Sequence, residues 1–302
     1  MKSRSSRREF SLAAGSAGVA RWGMAAGGPL TAEAAMKRIQ TALGGDWPAG
    51  PDGFKAGDPS TVVKGIATTA MATLEVLKQA AAAHTNLVLT YEPTFYGRAD
   101  GVPPAQPSPS GRGPVGLAAD DPVAKAKREF VAKSSLVVFR LRDHWQARKE
   151  GYMITGLADA LGWSAHRVKS DDALYEIPPA TGEETVAGIR RKLNLRGGLR
   201  AVGDRKATIR RVLLHPGPMT PAIMWQRYSE VDMVIAGEVR EWENTHYAAD
   251  MFTAGEKRVL VTTGRVVSED PGMRACAQWL KTVIAEVSAK WIGTGDPYWR
   301  PA

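Results

Sequence analysis

The chain has 302 residues, 44% of them apolar and 24% charged, the makeup of a globular protein long enough for two modest domains. Its apolar runs fall short of the ~20 residues that span a bilayer, so no stable membrane span is expected. Of the net charge of +9, +4 falls in residues 1–30, where Lys2, Arg4, Arg7, Arg8 and Arg21 face only Glu9. The later basic residues are mixed with acidic ones and form no stripe interleaved with aromatics, so nucleic acid is not an expected partner.

The first segment reads as an address. Ser6-Arg7-Arg8-Glu9-Phe10-Ser11-Leu12 resembles a twin-arginine export motif, and a weakly apolar run rich in Ala and Gly follows to Ala26. Residues 1–30 are therefore expected to be a signal segment outside the fold, directing export to the periplasm. Thr31 then caps a helix running to Leu43. Gly44 to Ser60 reads as loop.

A first α/β half is expected over 31–120, a middle α/β segment over 121–207 and a second half over 208–302. In the first, a strand at Val62–Ala67 leads to a helix from Thr73 to His84 and a buried strand, Asn86 to Thr90, that ends at Tyr91-Glu92. Residues 97–119 are rich in Pro, Gly and Ser, without periodicity. Asp121-Pro122 has the form of an N-cap and first helical residue, opening a helix to Lys133. An apolar strand, Leu136–Leu141, leads into Arg142-Asp143-His144-Trp145, and a helix continues to Leu161. Short strands are expected at 166–169 and 174–177, and an amphipathic helix at Glu183–Leu193.

The second half repeats the first. A strand at Ile209–Leu214, a helix at Pro221–Tyr228 and a buried strand from Asp232 end at Glu238, 146 residues after Glu92. Glu241–Phe252 reads as helix, Arg258–Thr263 as strand, Gly264–Glu269 as loop, Gly272–Val287 as helix and Lys290–Ile292 as a closing strand. Strands alternating with helices give an α/β fold of two related halves. Polar groups past the C-terminal ends of such strands point into the crevice where ligands bind, so two halves facing a central cleft would bring Glu92 and Glu238 together. Cys276 is the only cysteine and sits at core spacing with Met273, Ala277, Leu280 and Ile284.

Phosphate-binding, dinucleotide-binding and nucleophile-elbow signatures and the zincin helix are all missing. The candidate chemistry lies at strand ends: Tyr91-Glu92, Asp143-His144, Glu238 with Glu241, and Arg265 with Glu269. Oxygen and imidazole donors from several strand ends suit a divalent or non-haem metal such as Fe, Mn or Zn.

The segments Leu89-Thr90-Tyr91-Glu92-Pro93, Arg140-Leu141-Arg142-Asp143-His144-Trp145, Gly237-Glu238-Val239-Arg240-Glu241-Trp242 and Gly264-Arg265-Val266-Val267-Ser268-Glu269 resemble those of the NGG-interacting-factor-three-like family. Its members are also described as dinuclear metal-centre hexameric proteins or type 2 homologues of GTP cyclohydrolase I. The resemblance implies two α/β halves around a two-metal cleft, and a homo-oligomer in the form of a hexameric ring. It runs from about Thr31 to Trp299.

The motifs are altered here. Tyr91 and Glu92 stand where the family's two histidines are expected, Arg142 and Gln146 where His and Asp are expected, and Arg265 where a His precedes Glu269. A guanidinium stays protonated and offers only donors, so it cannot ligate a cation. At Arg142 or Arg265 it would repel metal and pair with Glu92 or Glu269. Glu92, Asp143, His144 and Glu269 remain as metal donors, enough for one ion or none rather than two. Tyr91, Arg142, Gln146, Glu238, Glu241 and Arg265 would line the cleft.

Two functions follow. One is a metal-assisted hydrolase of a small, nucleotide-like molecule, in which the metal lowers the pKa of a bound water. The other is a non-catalytic oligomer whose cleft binds a small anion. Loss of three expected ligands favours an impaired or altered site.

Overall fold

A computed structural model of the chain describes residues 28–45, 47, 50–97, 100, 117, 120–148, 151–195 and 198–299. Arg7-Arg8, the segment around them and most of the Pro/Gly-rich stretch 97–119 lie outside the described residues.

Helix α1 (Ala32–Ala42) opens on Thr31, whose hydroxyl accepts from Ala34 N at 3.2 Å and satisfies one of the orphan amides of the first turn. Strand β1 (Gly53–Ala56) follows, then β2 (Gly65–Thr69), α2 (Leu74–Ala82) and β3 (Leu87–Thr90). Helix α3 (Pro122–Lys133) leads to β4 (Val137–Arg140) and the single turn α4 (Asp143–Gln146). Every residue of β2, β3 and β4 is buried, as expected for parallel strands covered on both faces.

The chain then builds its second unit: α5 (Tyr152–Leu161), β5 (Leu174–Thr181), α6 (Gly182–Lys192), β6 (Arg200–Gly203), β7 (Thr208–Met219), α7 (Pro221–Arg227) and β8 (Met233–Val239). A π-helical turn at Glu241–Thr245 runs into α8 (His246–Thr253), and β9 (Val259–Thr262), α9 (Arg265–Val283) and β10 (Ser288–Trp291) complete the fold. Thr181 and Glu184 form a reciprocal capping box at the start of α6.

Among the described residues these strands make two five-stranded sheets, ordered β1-β4-β3-β2-β10 and β5-β7-β8-β9-β6. Strands β4, β3, β2 and β10 run parallel, with β1 antiparallel at one edge. In the second sheet β7, β8 and β9 are parallel and both edges, β5 and β6, are antiparallel. The expected α/β fold with two halves is what the chain adopts, and β2-α2-β3 and β7-α7-β8 are the repeated units.

Several elements differ from the sequence expectation. Residues 53–56, expected as loop, form β1 on the exposed side of β4. Residues 164–166 form a 3-10 turn, and only Arg167 bridges β5, through Tyr175. Gly264–Glu269 is not a loop: α9 begins at Arg265 and runs through Pro271. Strand β10 joins the first sheet beside β2, not the second. Helix α9 packs against β2, β7 and β8, and so lies between the sheets. Met273, Cys276, Leu280 and Ile284 enter the core of the first sheet with Ile66, Leu87 and Trp145. Burying each such aliphatic side chain stabilises by ~1.5–3 kcal/mol.

Candidate functional site

The C-terminal ends of the parallel strands bring the candidate residues together. Glu92 follows β3, Arg142 follows β4 and Arg265 follows β9 on the other sheet. Arg265 donates to Glu92 Oε1 from Nη2 at 2.8 Å and from Nε at 3.2 Å, and Arg142 Nη1 donates to the same oxygen at 3.2 Å. These bonds use three of the ten N–H donors that two guanidiniums carry. The Glu92 side chain is 9% exposed, while those of Arg142 and Arg265 are 23% and 29% exposed.

Glu269, one turn along α9 from Arg265, places Oε1 3.5 Å from Arg265 Nε with its side chain 2% exposed. Its Oε2 is buried with no donor reaching it. Burial, then the neighbouring charge of Glu92, pushes its carboxyl up to about 9, against the opposing effect of Arg265 and Arg142. The neutral form of Glu269 is therefore favoured beside Glu92.

Two glycines admit this turn of α9. A Cβ on Gly217 (φ +79°) would lie 2.8 Å from Glu269 Oε1, and one on Gly237 would lie 2.3 Å from Ser268 Oγ. Ser268 Oγ accepts from Gly217 N at 2.8 Å and donates to the Arg265 carbonyl at 2.6 Å, which ties the irregular end of β7 to the helix start.

Around this centre, Tyr91 is buried; its hydroxyl donates to Gln146 Oε1 at 2.8 Å, and Arg142 lies over its ring at 5.0 Å. Burial raises its phenol well above the ordinary tyrosine range. Glu238 is exposed near the end of β8, where its charge acts on Arg265, so both repeated carboxylates address one guanidinium. Glu241 stands apart, paired on the surface with Arg200.

Asp143 and His144 do not turn toward Glu92. Asp143 is exposed at the start of α4. His144 Nδ1 lies 2.7 Å from Asp52 Oδ2, and the imidazole stacks on Trp47 with ring centres 4.0 Å apart. Asp52 also accepts from the backbone amides of Arg142, Asp143 and His144 at 2.8, 3.2 and 3.1 Å, and so caps α4 from a distant loop. Sequence reasoning missed Asp52, whose one signal is the turn-forming run Pro51-Asp52-Gly53. It also missed Ser268, whose role depends on the helix that replaces the expected loop.

The donor set does not fit a divalent cation. Glu92 is covered by two fixed positive charges, Arg265 also stands 3.5 Å from Glu269, and the His144 Nδ1 is spent on Asp52. Among the described residues no group of three or more His, Cys, Asp and Glu side chains converges as metal ligands would.

No protein-family model and no curated protein matches the chain. Solved structures do. A Staphylococcus aureus hypothetical protein, SA1388, superposes with a TM-score of 0.66 at 15% identity, covering 90% of this chain and 100% of its own. A Bacillus cereus protein related to NIF3 gives 0.63 at 11% identity, covering 90% of this chain and 99% of its own. The protein ybgI, of unknown function, gives 0.61 at 17% identity, with 87% and 98% covered. The chain thus has the fold of NIF3-related proteins over nearly its whole described length.

Proposed function

We propose that this chain belongs to the NIF3-related proteins whose fold it shares, and that its cleft is an arginine-clamped, metal-free centre that binds a small anion. The observation that carries this reading is the convergence of Arg142 and Arg265 on one oxygen of Glu92. In place of ions the cleft holds two guanidiniums among the carboxyl groups of Glu92, Glu238 and Glu269. The partly exposed guanidiniums, with N–H donors left over from Glu92, suit a carboxylate or phosphate, which Arg recognises with paired N–H donors. The reading is non-catalytic and rests on the pairing of Glu92 with both guanidiniums. Assembly as a homo-oligomer, with the hexameric ring that the sequence resemblance implies, goes with it. The exposed Trp225, Trp242 and Phe252 of the second unit are apolar surface that such assembly could cover.

Protein purified without chelator is expected to hold Fe, Mn and Zn at well below one ion per chain by elemental analysis. Inorganic phosphate at about 100 times its Kd should stabilise the wild type by ~2.7 kcal/mol, and Arg142→Gln should abolish that gain. Near-stoichiometric metal, lost when Glu92 and Glu269 are replaced together, would restore the hydrolase reading and end this one.

Export is the second part of the proposal, supported by Arg7-Arg8 ahead of Phe10 and a weakly apolar run. Replacing both arginines with lysine should leave the protein in the cytoplasm by cell fractionation. Unchanged partitioning would rule out the twin-arginine route.

A further inference from the structure

A groove of about 780 Å3 opens between α6 and the β9–β6 side of the second sheet, on residues the cleft does not use. Val186, Leu199 and Val202 give it an apolar lining, and Arg190, Arg191 and Arg205 stand around it. Glu183 is the one acidic residue in the lining, and it is already paired with Arg205. Strand β6 is the edge of its sheet: it pairs with β9 on one side, and among the described residues no strand lies on the other. An uncovered edge offers a row of N–H and C=O groups to any extended chain of matching register.

We infer that this groove is a docking site for an extended acidic peptide segment of a partner protein, which adds along β6 and places alternate apolar side chains against the groove lining. The unpaired edge supplies main-chain hydrogen bonds, and period-two alternation sends every second side chain to one face. The occupant is acidic because, once Glu183 and Arg205 are paired with each other, Arg190 and Arg191 remain in the lining with no carboxylate against them there. Strand β6, Arg200-Ala201-Val202-Gly203, is short and carries no proline that would remove an edge donor.

The test uses the full chain and a short fluorescein-labelled peptide of alternating valine and glutamate, followed by fluorescence anisotropy. The same peptide with lysine for glutamate is the control. Arg191 and Arg205 are exposed, so the double variant Arg191→Glu/Arg205→Glu should keep the wild-type melting temperature within a few degrees. It should weaken binding of the acidic peptide by ~10-fold or more. Absence of binding to the wild type, equal binding of the lysine peptide, or unchanged binding by the double variant would overturn the proposal. So would concentration-dependent self-association that the double variant abolishes, since the occupant would then be a second copy of this chain.

Discussion

Glu92→Ala is expected to destabilise the protein by ~3 kcal/mol, the low end of the cost of leaving a buried charge without its partner. The substitution removes the single oxygen on which Arg142 and Arg265 meet and leaves two guanidiniums facing each other. Their partial exposure keeps the cost from rising further, because water screens part of the repulsion. A fall in the urea midpoint with an unchanged slope would report that loss. The companion variant Glu92→Leu/Arg142→Met/Arg265→Met should recover much of it, since an apolar set of similar volume replaces the whole charged triad and carries no desolvation penalty. A loss under ~1 kcal/mol for Glu92→Ala would mean that the pair is solvated and holds nothing together.

Glu269→Gln is expected to flatten the dependence of stability on pH. In the folded chain Glu269 keeps its proton up to about pH 9, whereas an unperturbed glutamate releases it near 4.5. Between these values the unfolded chain binds fewer protons than the folded one, so stability falls as pH rises through that window and levels off above it. Asp270, raised to about 6 by burial, contributes in the same direction but only at lower pH. Lys127, lowered to about 8 by burial, acts in the opposite direction above that pH but does so in both proteins, so the difference between the two slopes belongs to Glu269. Glutamine retains a donor toward Glu92 but cannot ionise, so the variant should lose that slope and exceed the wild type in alkaline solution. Thermal melts from pH 6 to pH 9 check this, and identical slopes in the two proteins would show that Glu269 is already charged.

What the sequence disclosed follows from burial. Strands β3, β4, β8 and β9 are apolar runs with both faces covered, and such runs stand out against polar flanks. The helices capped by Thr31 and Asp121 were legible at their first residue. Strand β1 was hidden because it is half-buried at an edge among Gly and Pro, and β6 because it is short and exposed. The start of α9 was hidden because it has no side-chain cap, follows Gly264 at φ +97° and carries Pro271 inside. At the site, residue chemistry alone suggested that an arginine would seek Glu92 or Glu269. It could not tell that His144 would turn to Asp52, because that contact spans 92 residues and depends on a loop with no periodicity. The sheet to which β10 belongs was likewise beyond local pattern.

That placement of β10 sets an order of events at the ribosome. The second sheet draws on the contiguous stretch 174–262, so its strands are all available once that stretch has emerged. The first sheet waits: Gly65 of β2 meets Ser288 of β10 across 223 residues. Closing so long a loop adds little entropy cost, since the penalty grows only with the logarithm of length. Its consequence is temporal. Until α9 and then β10 are synthesised, the core around Ile66 lacks Cys276 and Leu280 and one edge of β2 is bare. An uncovered parallel edge during synthesis invites pairing with the wrong chain.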